Sequence, residues 1–156
     1  MSRLLGLTLI ACLGAGCFQD STQQHSTFLP LNNYQSTFQV VRSCRLNVSH
    51  SNQYQLVLAD PVFAADPYTT GTYPLPAGSV VVAEEHGNDP SCNSLMGYYL
   101  MAKEKPGYAS TAGDWHWQEL DSNQRVSQDG RLTTCSSCHG GPLCSNGTHD
   151  YLCLPP

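Results

Sequence analysis

The sequence predicts an α+β fold, a predominantly antiparallel β-sheet with a few short helices. Two observations carry that reading. Four segments rich in β-formers are separated by turn chemistry: Tyr54–Ala59, Ser79–Glu84, Leu95–Ala102 and Trp115–Leu120. No long amphipathic helix lies between them, which favours antiparallel pairing over βαβ crossovers.

The elements follow in order. Met1 to Arg3 carries one positive charge, and Leu4 to Gly16 is apolar and small. That run is too short to cross a bilayer, which takes about 20 residues, but it fits a signal-peptide core. It stops at Leu13-Gly14-Ala15-Gly16-Cys17, after which the chain turns polar. Small residues before a cysteine resemble a bacterial lipoprotein processing site, which makes Cys17 the expected lipidation site, with Cys12 as the alternative. Residues 1–16 are therefore read as a lipoprotein-type signal peptide, 17–29 as a polar tether and 30–156 as one folded domain. Asn32 and Asn33 are candidate N-caps for a helix through Arg42, because Tyr34, Phe38 and Val41 recur at helical spacing. The four strand segments come next. In the last of them large rings alternate strictly, as Trp115-His116-Trp117. The stretch from Cys135 to Pro156 is loop-like and dense in Cys, Gly and Pro.

Composition excludes some functions. The 156 residues carry a formal net charge of −5 with 12% charged residues and no basic cluster, so neither nucleic acid nor an anionic membrane surface is an expected partner. Membrane association is expected only through the lipid anchor. Eight cysteines in such a chain point to an oxidising compartment: the bacterial cell envelope facing the periplasm, or secretion.

The chemistry concentrates at Cys135-Ser136-Ser137-Cys138-His139. This is the spacing for covalent c-type haem near the C-terminus. Two thiols add across the vinyl groups on one porphyrin edge, and the adjacent His falls under the iron as axial ligand. Gly140-Gly141 lets the backbone turn away closely. Three other readings compete. A thioredoxin-like C-x-x-C opens a helix within a βαβ unit, which is missing here. Zinc could be held by Cys135, Cys138 and Cys144 with His139, His149 or Cys153. Plain disulfides are common in short exported chains. With Cys12 and Cys17 given to export, and Cys135 and Cys138 to haem, four cysteines remain: Cys44, Cys92, Cys144 and Cys153. They allow three pairings; Cys144–Cys153 closes a short loop and leaves Cys44–Cys92.

A filled sixth position would make an electron carrier, and an open one would bind small ligands. Candidate sixth ligands are Met96, Met101, His25, His50, His86, His116 and His149, although methionine in an apolar strand is usually core packing.

From Leu29 onward the chain resembles the cytochrome P460 / cytochrome c′-β family. The resemblance rests on Leu29-Pro30 through Tyr34, Asn47-Val48-Ser49-His50, Asp60-Pro61, Tyr68-Thr69-Thr70-Gly71 and Pro76 through Glu84. It continues with Gly97 through Lys103, Gly113 through Trp117, the C-x-x-C-His motif and a closing Asp150-Tyr151. It implies an antiparallel-sheet fold with five-coordinate haem c, thioethers at Cys135 and Cys138, and His139 as proximal ligand. It further implies a small gaseous or nitrogen-oxide ligand, a periplasmic redox partner and a homodimer. Members oxidise hydroxylamine or bind nitric oxide. The hydroxylamine-oxidising members cross-link a lysine to the haem from the segment matching Tyr68-Thr69-Thr70-Gly71, but the lysines here are Lys103 and Lys105, far downstream. That difference favours gas binding. Distal candidates are Tyr68, the apolar Phe63, and a carboxylate for proton transfer, Glu84 first among Glu84, Glu85 and Glu104. Arg42, Arg45, Arg125 and Arg131 are candidates to pair with haem propionates. The alternatives are a six-coordinate electron-transfer cytochrome and a haem-free zinc or disulfide domain.

Overall fold

The computed structural model describes residues 33–153. The signal-peptide and tether readings, with Cys12, Cys17 and His25, lie outside the described residues.

Six strands form one antiparallel sheet in the order β1-β2-β3-β4-β5-β6. They are β1 (Gln39–Asn47), β2 (Gln53–Ala59), β3 (Val80–Glu85), β4 (Gly97–Lys103), β5 (Trp115–Asp121) and β6 (Val126–Gly130). Three short helices accompany them: α1 (Tyr34–Thr37), α2 (Ala65–Thr70) and α3 (Thr133–His139). The expected fold class is the observed one, and the four expected strands are β2 to β5.

Three elements differ from expectation. The helix expected through Arg42 stops at Thr37, and the chain becomes β1. Helical spacing of three apolar residues is outweighed by Val40-Val41, whose branched side chains fit a pleat, and by pairing with β2 along its whole length. Asp66-Pro67 and Gly71 were expected to mark a turn, but they bracket α2: Pro67 lies in its first turn and Gly71 ends it in the left-handed conformation. Strand β6 is a polar edge strand, Val126-Ser127-Gln128-Asp129-Gly130, with no apolar alternation to reveal it.

The sheet separates two cores. Odd-numbered residues of β2 to β5, among them Val57, Val81, Met101 and Trp117, pack with α2 and the C-terminal segment. Even-numbered residues, among them Leu58, Val82, Leu100 and Leu120, pack on the other face with Tyr34 of α1. This is the two-residue side-chain period of a pleated strand. Strand β1 breaks it. Its register shifts on both sides of Arg42, and Val41 and Arg42 are buried consecutively. Such irregularities re-aim a side chain.

Two disulfides pin the loops. Cys44–Cys92 ties β1 to the β3–β4 connection, and Cys144–Cys153 closes the C-terminal loop. That loop is latched to the sheet by the buried Asp150. Its carboxylate accepts the Leu75 backbone N–H at 2.8 Å and pairs with Lys103, and its carbonyl accepts Trp115 Nε1–H at 2.8 Å.

Candidate functional site

Cys135, Cys138 and His139 occupy α3 at i, i+3 and i+4, so they share one face of a helical turn. Cys135 is half-buried against the α2-side core, and Cys138 is exposed. Among the described residues these two are the cysteines left as free thiols. Burial pushes the Cys135 thiol pKa up, with Glu119 and Cys138 adding to the rise.

His139 is prepared for metal ligation. Its Nδ1–H donates to the Tyr151 carbonyl at 2.6 Å, which fixes the tautomer and turns Nε2 into the lone-pair nitrogen. Burial pulls its pKa down to about 4 against the opposing effect of that hydrogen bond, with His50 lowering it further, so the imidazole is neutral near pH 7. Its ring meets Trp117 edge-on at 4.7 Å and His50 at 6.0 Å. Tyr151 is itself held in place. Its hydroxyl donates to the Thr111 carbonyl at 2.7 Å, and its ring lies so close to Gly113 and Gly140 that a Cβ there would come within 2.7 and 2.8 Å. Those two glycines are required by close approach.

The α3 residues open onto a cavity of about 350 Å³ on the α2 side of the sheet. Val57, Val81, Ala83 and Met101 give it an apolar floor. A polar chain runs along one wall. Arg42 Nη2 and Asn47 Nδ2 both donate to Gln55 Oε1, at 3.0 and 2.6 Å. Gln55 Nε2 donates to Glu85 at 3.3 Å, and His50 Nδ1 stands 3.6 Å from the same carboxylate. Tyr99, beside His50, has its pKa pushed up to about 12 by burial and by Glu85. Tyr68 projects from α2 into the cavity; burial raises its pKa more than Arg42 lowers it.

The sequence-predicted residues divide sharply. Tyr68, His50, Met101, Arg42 and the three motif residues line the cavity. Glu84 does not: it is 2% exposed on the opposite face, where Tyr34, Gln35 and His86 bind its carboxylate. Phe63 is 46% exposed, packs beside Gly78 and is not part of the cavity wall. Met96 is 58% exposed. His116 bonds to Asp129, with Glu104 on its other side, and His149 packs on Tyr73. Arg131 covers Tyr108. Sequence reasoning missed Trp117, Gln55 and Tyr99 as cavity residues. Strand β3 is apolar on both faces, so nothing in Val80-Val81-Val82-Ala83 says which parity meets the cavity.

Those residues fit a haem c. The motif thiols are free while the other described cysteines are paired, the imidazole is neutral with one nitrogen fixed, and a largely apolar cavity adjoins all three. Zinc fits less well. His139 lies within 4.8 Å of Cys144 and Cys153, but those sulfurs are joined in a disulfide and offer no thiolate.

Fold and site together define a c-type cytochrome built on an antiparallel sheet. The family model described as Cytochrome P460 matches residues 31–151, so the chain belongs to the cytochrome P460 family. Members of that family bind covalent haem c and are generally exported to the periplasm. No curated protein matches the chain.

Proposed function

We propose that the protein is an exported mono-haem cytochrome whose five-coordinate haem binds nitric oxide or acts on a small nitrogen oxide, and that Cys17 anchors it to the membrane by a lipid. The observation that carries this reading is the neutral His139 imidazole beside two free thiols at the rim of an apolar cavity. Cys135 and Cys138 would hold the haem by thioether bonds, and His139 would ligate the iron. When bound, the haem supplies an iron position that can accept a diatomic ligand.

The chain's own residues do the remainder. The Tyr151 carbonyl orients His139 and makes it more basic toward a metal. The apolar floor excludes water from the ligand's side. Tyr68 enters the cavity as a protonated phenol and gives the ligand a polar group to meet. Two cavity residues could fill a sixth position. Met101 is packed in the core, which supports an open position over a methionine-ligated electron carrier. His50, which faces Glu85 through Nδ1 and packs on Tyr99, is the competing ligand that the ferrous spectrum tests. Neither lysine lines the cavity, and Lys103 is held by Asp150, which supports ligand binding over hydroxylamine oxidation.

The test is to express the mature chain in a host with cytochrome c maturation and record a pyridine haemochrome and the ferrous spectrum with and without nitric oxide. The expected result is a c-type haemochrome with a high-spin ferrous spectrum that shifts on nitric oxide. A low-spin spectrum indifferent to the gas would overturn the proposal in favour of electron transfer. A far-red-shifted Soret band would instead indicate a cross-linked chromophore and hydroxylamine oxidation.

A further inference from the structure

The cavity holds a buried cation that has no counter-ion among the described residues. Arg42 is 8% exposed, and its one hydrogen bond among the described residues goes to the neutral Gln55. Its Nε–H is buried without an acceptor among the described residues. No carboxylate of the described residues pairs with it. Glu85 is reached only through Gln55 and already faces His50. Tyr68 adjoins it but is kept protonated by burial, so it cannot act as the counter-charge. Arg45 adds positive charge nearby. A guanidinium stays charged in a protein, and a buried charge without a partner is strongly destabilising. Trp117 Nε1–H is a second buried donor of the same cavity that finds no acceptor among the described residues.

Two orphan N–H donors and an uncompensated cation in one cavity describe a site that lacks its acceptor oxygens. We propose that Arg42 is the oxyanion receptor of this cavity, binding a carboxylate or a small inorganic oxyanion through its Nε edge. The planar guanidinium presents two N–H groups in the spacing of two oxygens on one atom. Gln55, whose Oε1 also accepts from Asn47 and whose Nε2–H donates to Glu85, is its positioning residue. The register shifts around Arg42 are what aim it inward from a strand whose neighbouring Ser43 and Arg45 are exposed. This inference rests on the haem reading of the cavity. Two sources could supply the oxygens: a haem propionate, since the propionates lie on the porphyrin edge opposite the thioethers, or a free oxyanion such as nitrite.

The experiment uses haem-loaded wild type, Arg42→Gln and Arg42→Lys, each checked by pyridine haemochrome and circular dichroism. Sodium nitrite is titrated against the ferric spectrum, and the midpoint potential is measured without nitrite. If the receptor takes a free oxyanion, Arg42→Gln weakens nitrite by at least about tenfold, the loss of one charge-assisted hydrogen bond, and Arg42→Lys recovers part of it. If it takes a propionate, nitrite affinity is unmoved. The potential then falls in Arg42→Gln and stays near wild type in Arg42→Lys, because removing a nearby cation favours the ferric state. Either result supports an oxyanion receptor. A folded Arg42→Gln protein with haem, unchanged nitrite affinity and unchanged potential overturns it while leaving the haem reading intact. Should Arg42→Gln fail to fold, Arg42→Met, an uncharged side chain of similar reach, takes its place under the same criteria: unchanged nitrite affinity together with an unchanged potential overturns the proposal. A wild-type chain without covalent haem would sink the haem reading itself, and this inference with it.

Discussion

The two faces of the sheet bury ionisable groups in opposite ways. On the α1 face, the Glu84 carboxylate is saturated: Tyr34 and Gln35 bind one oxygen and His86 the other. Burial and that carboxylate together drive the Tyr34 hydroxyl pKa far upward. The remaining open valence is His86 Nδ1, the lone pair of a ring whose Nε2–H serves Glu84. On the α2 face, Arg42 Nε–H and Trp117 Nε1–H are buried donors at a cavity and find no acceptor among the described residues. A buried charge with every partner in place specifies a fold, and one lacking a partner waits for a ligand.

The largest effect should fall on the cavity face. Replacing Cys135 and Cys138 together by alanine is expected to abolish covalent haem, read as loss of the Soret band after acid–acetone extraction. Circular dichroism should stay near that of the wild-type chain without haem, because neither thiol joins a disulfide among the described residues. Haem retained after extraction would show that the attachment lies elsewhere.

Glu84→Ala probes the other face. It leaves the Tyr34 hydroxyl, the Gln35 amide and the His86 ring without their acceptor, and is expected to cost about 3–5 kcal/mol in denaturant unfolding. The haem spectrum and nitric oxide affinity should not change. A tenfold loss of gas affinity at unchanged haem content would break the division between the faces.

The disulfides extend the comparison. Removing Cys44–Cys92, with a sequence separation of 48, should cost about 4 kcal/mol from loop-closure entropy and leave the haem spectrum untouched. Removing Cys144–Cys153, with a separation of 9, should cost less, about 3 kcal/mol. It should nonetheless alter the spectrum, because that loop carries the Tyr151 carbonyl that orients His139. Equal spectra in the two double serine variants would deny the C-terminal loop its positioning role.

Much of this was legible in the sequence, for reasons that also mark its limits. The strands β2 to β5 were visible because β-formers and turn residues alternate. The motif was visible because haem attachment needs its residues within five positions. Glu84 is misplaced by sequence because alternation along a strand does not say which parity faces which layer; that is settled by α2 and the C-terminal segment covering one face. Phe63 lies in the turn between β2 and α2, where no periodicity says which way a side chain points. Arg42 was one of four equal candidates because its burial depends on register shifts in β1, and no residue type there signals a bulge. The α2 helix was hidden because Asp-Pro and Gly serve equally well as turn residues and as helix ends.

The smallest expected effect concerns His139 before haem attachment. Its folded pKa of about 4 lies below the ordinary value of 6.5, because burial penalises the charged ring. Between those two values the unfolded chain binds more protons than the folded one, so acid favours unfolding. The stability tied to the neutral ring is therefore fully present above about pH 6.5, falls as the pH drops, and is gone below about pH 4. The upper bound is about 3 kcal/mol, reduced by whatever solvent reaches the ring at the cavity. Denaturant unfolding of the haem-free chain from pH 7.5 to 4 should show this loss, and His139→Gln should flatten it. An equal slope in the variant would assign the acid sensitivity to groups other than His139.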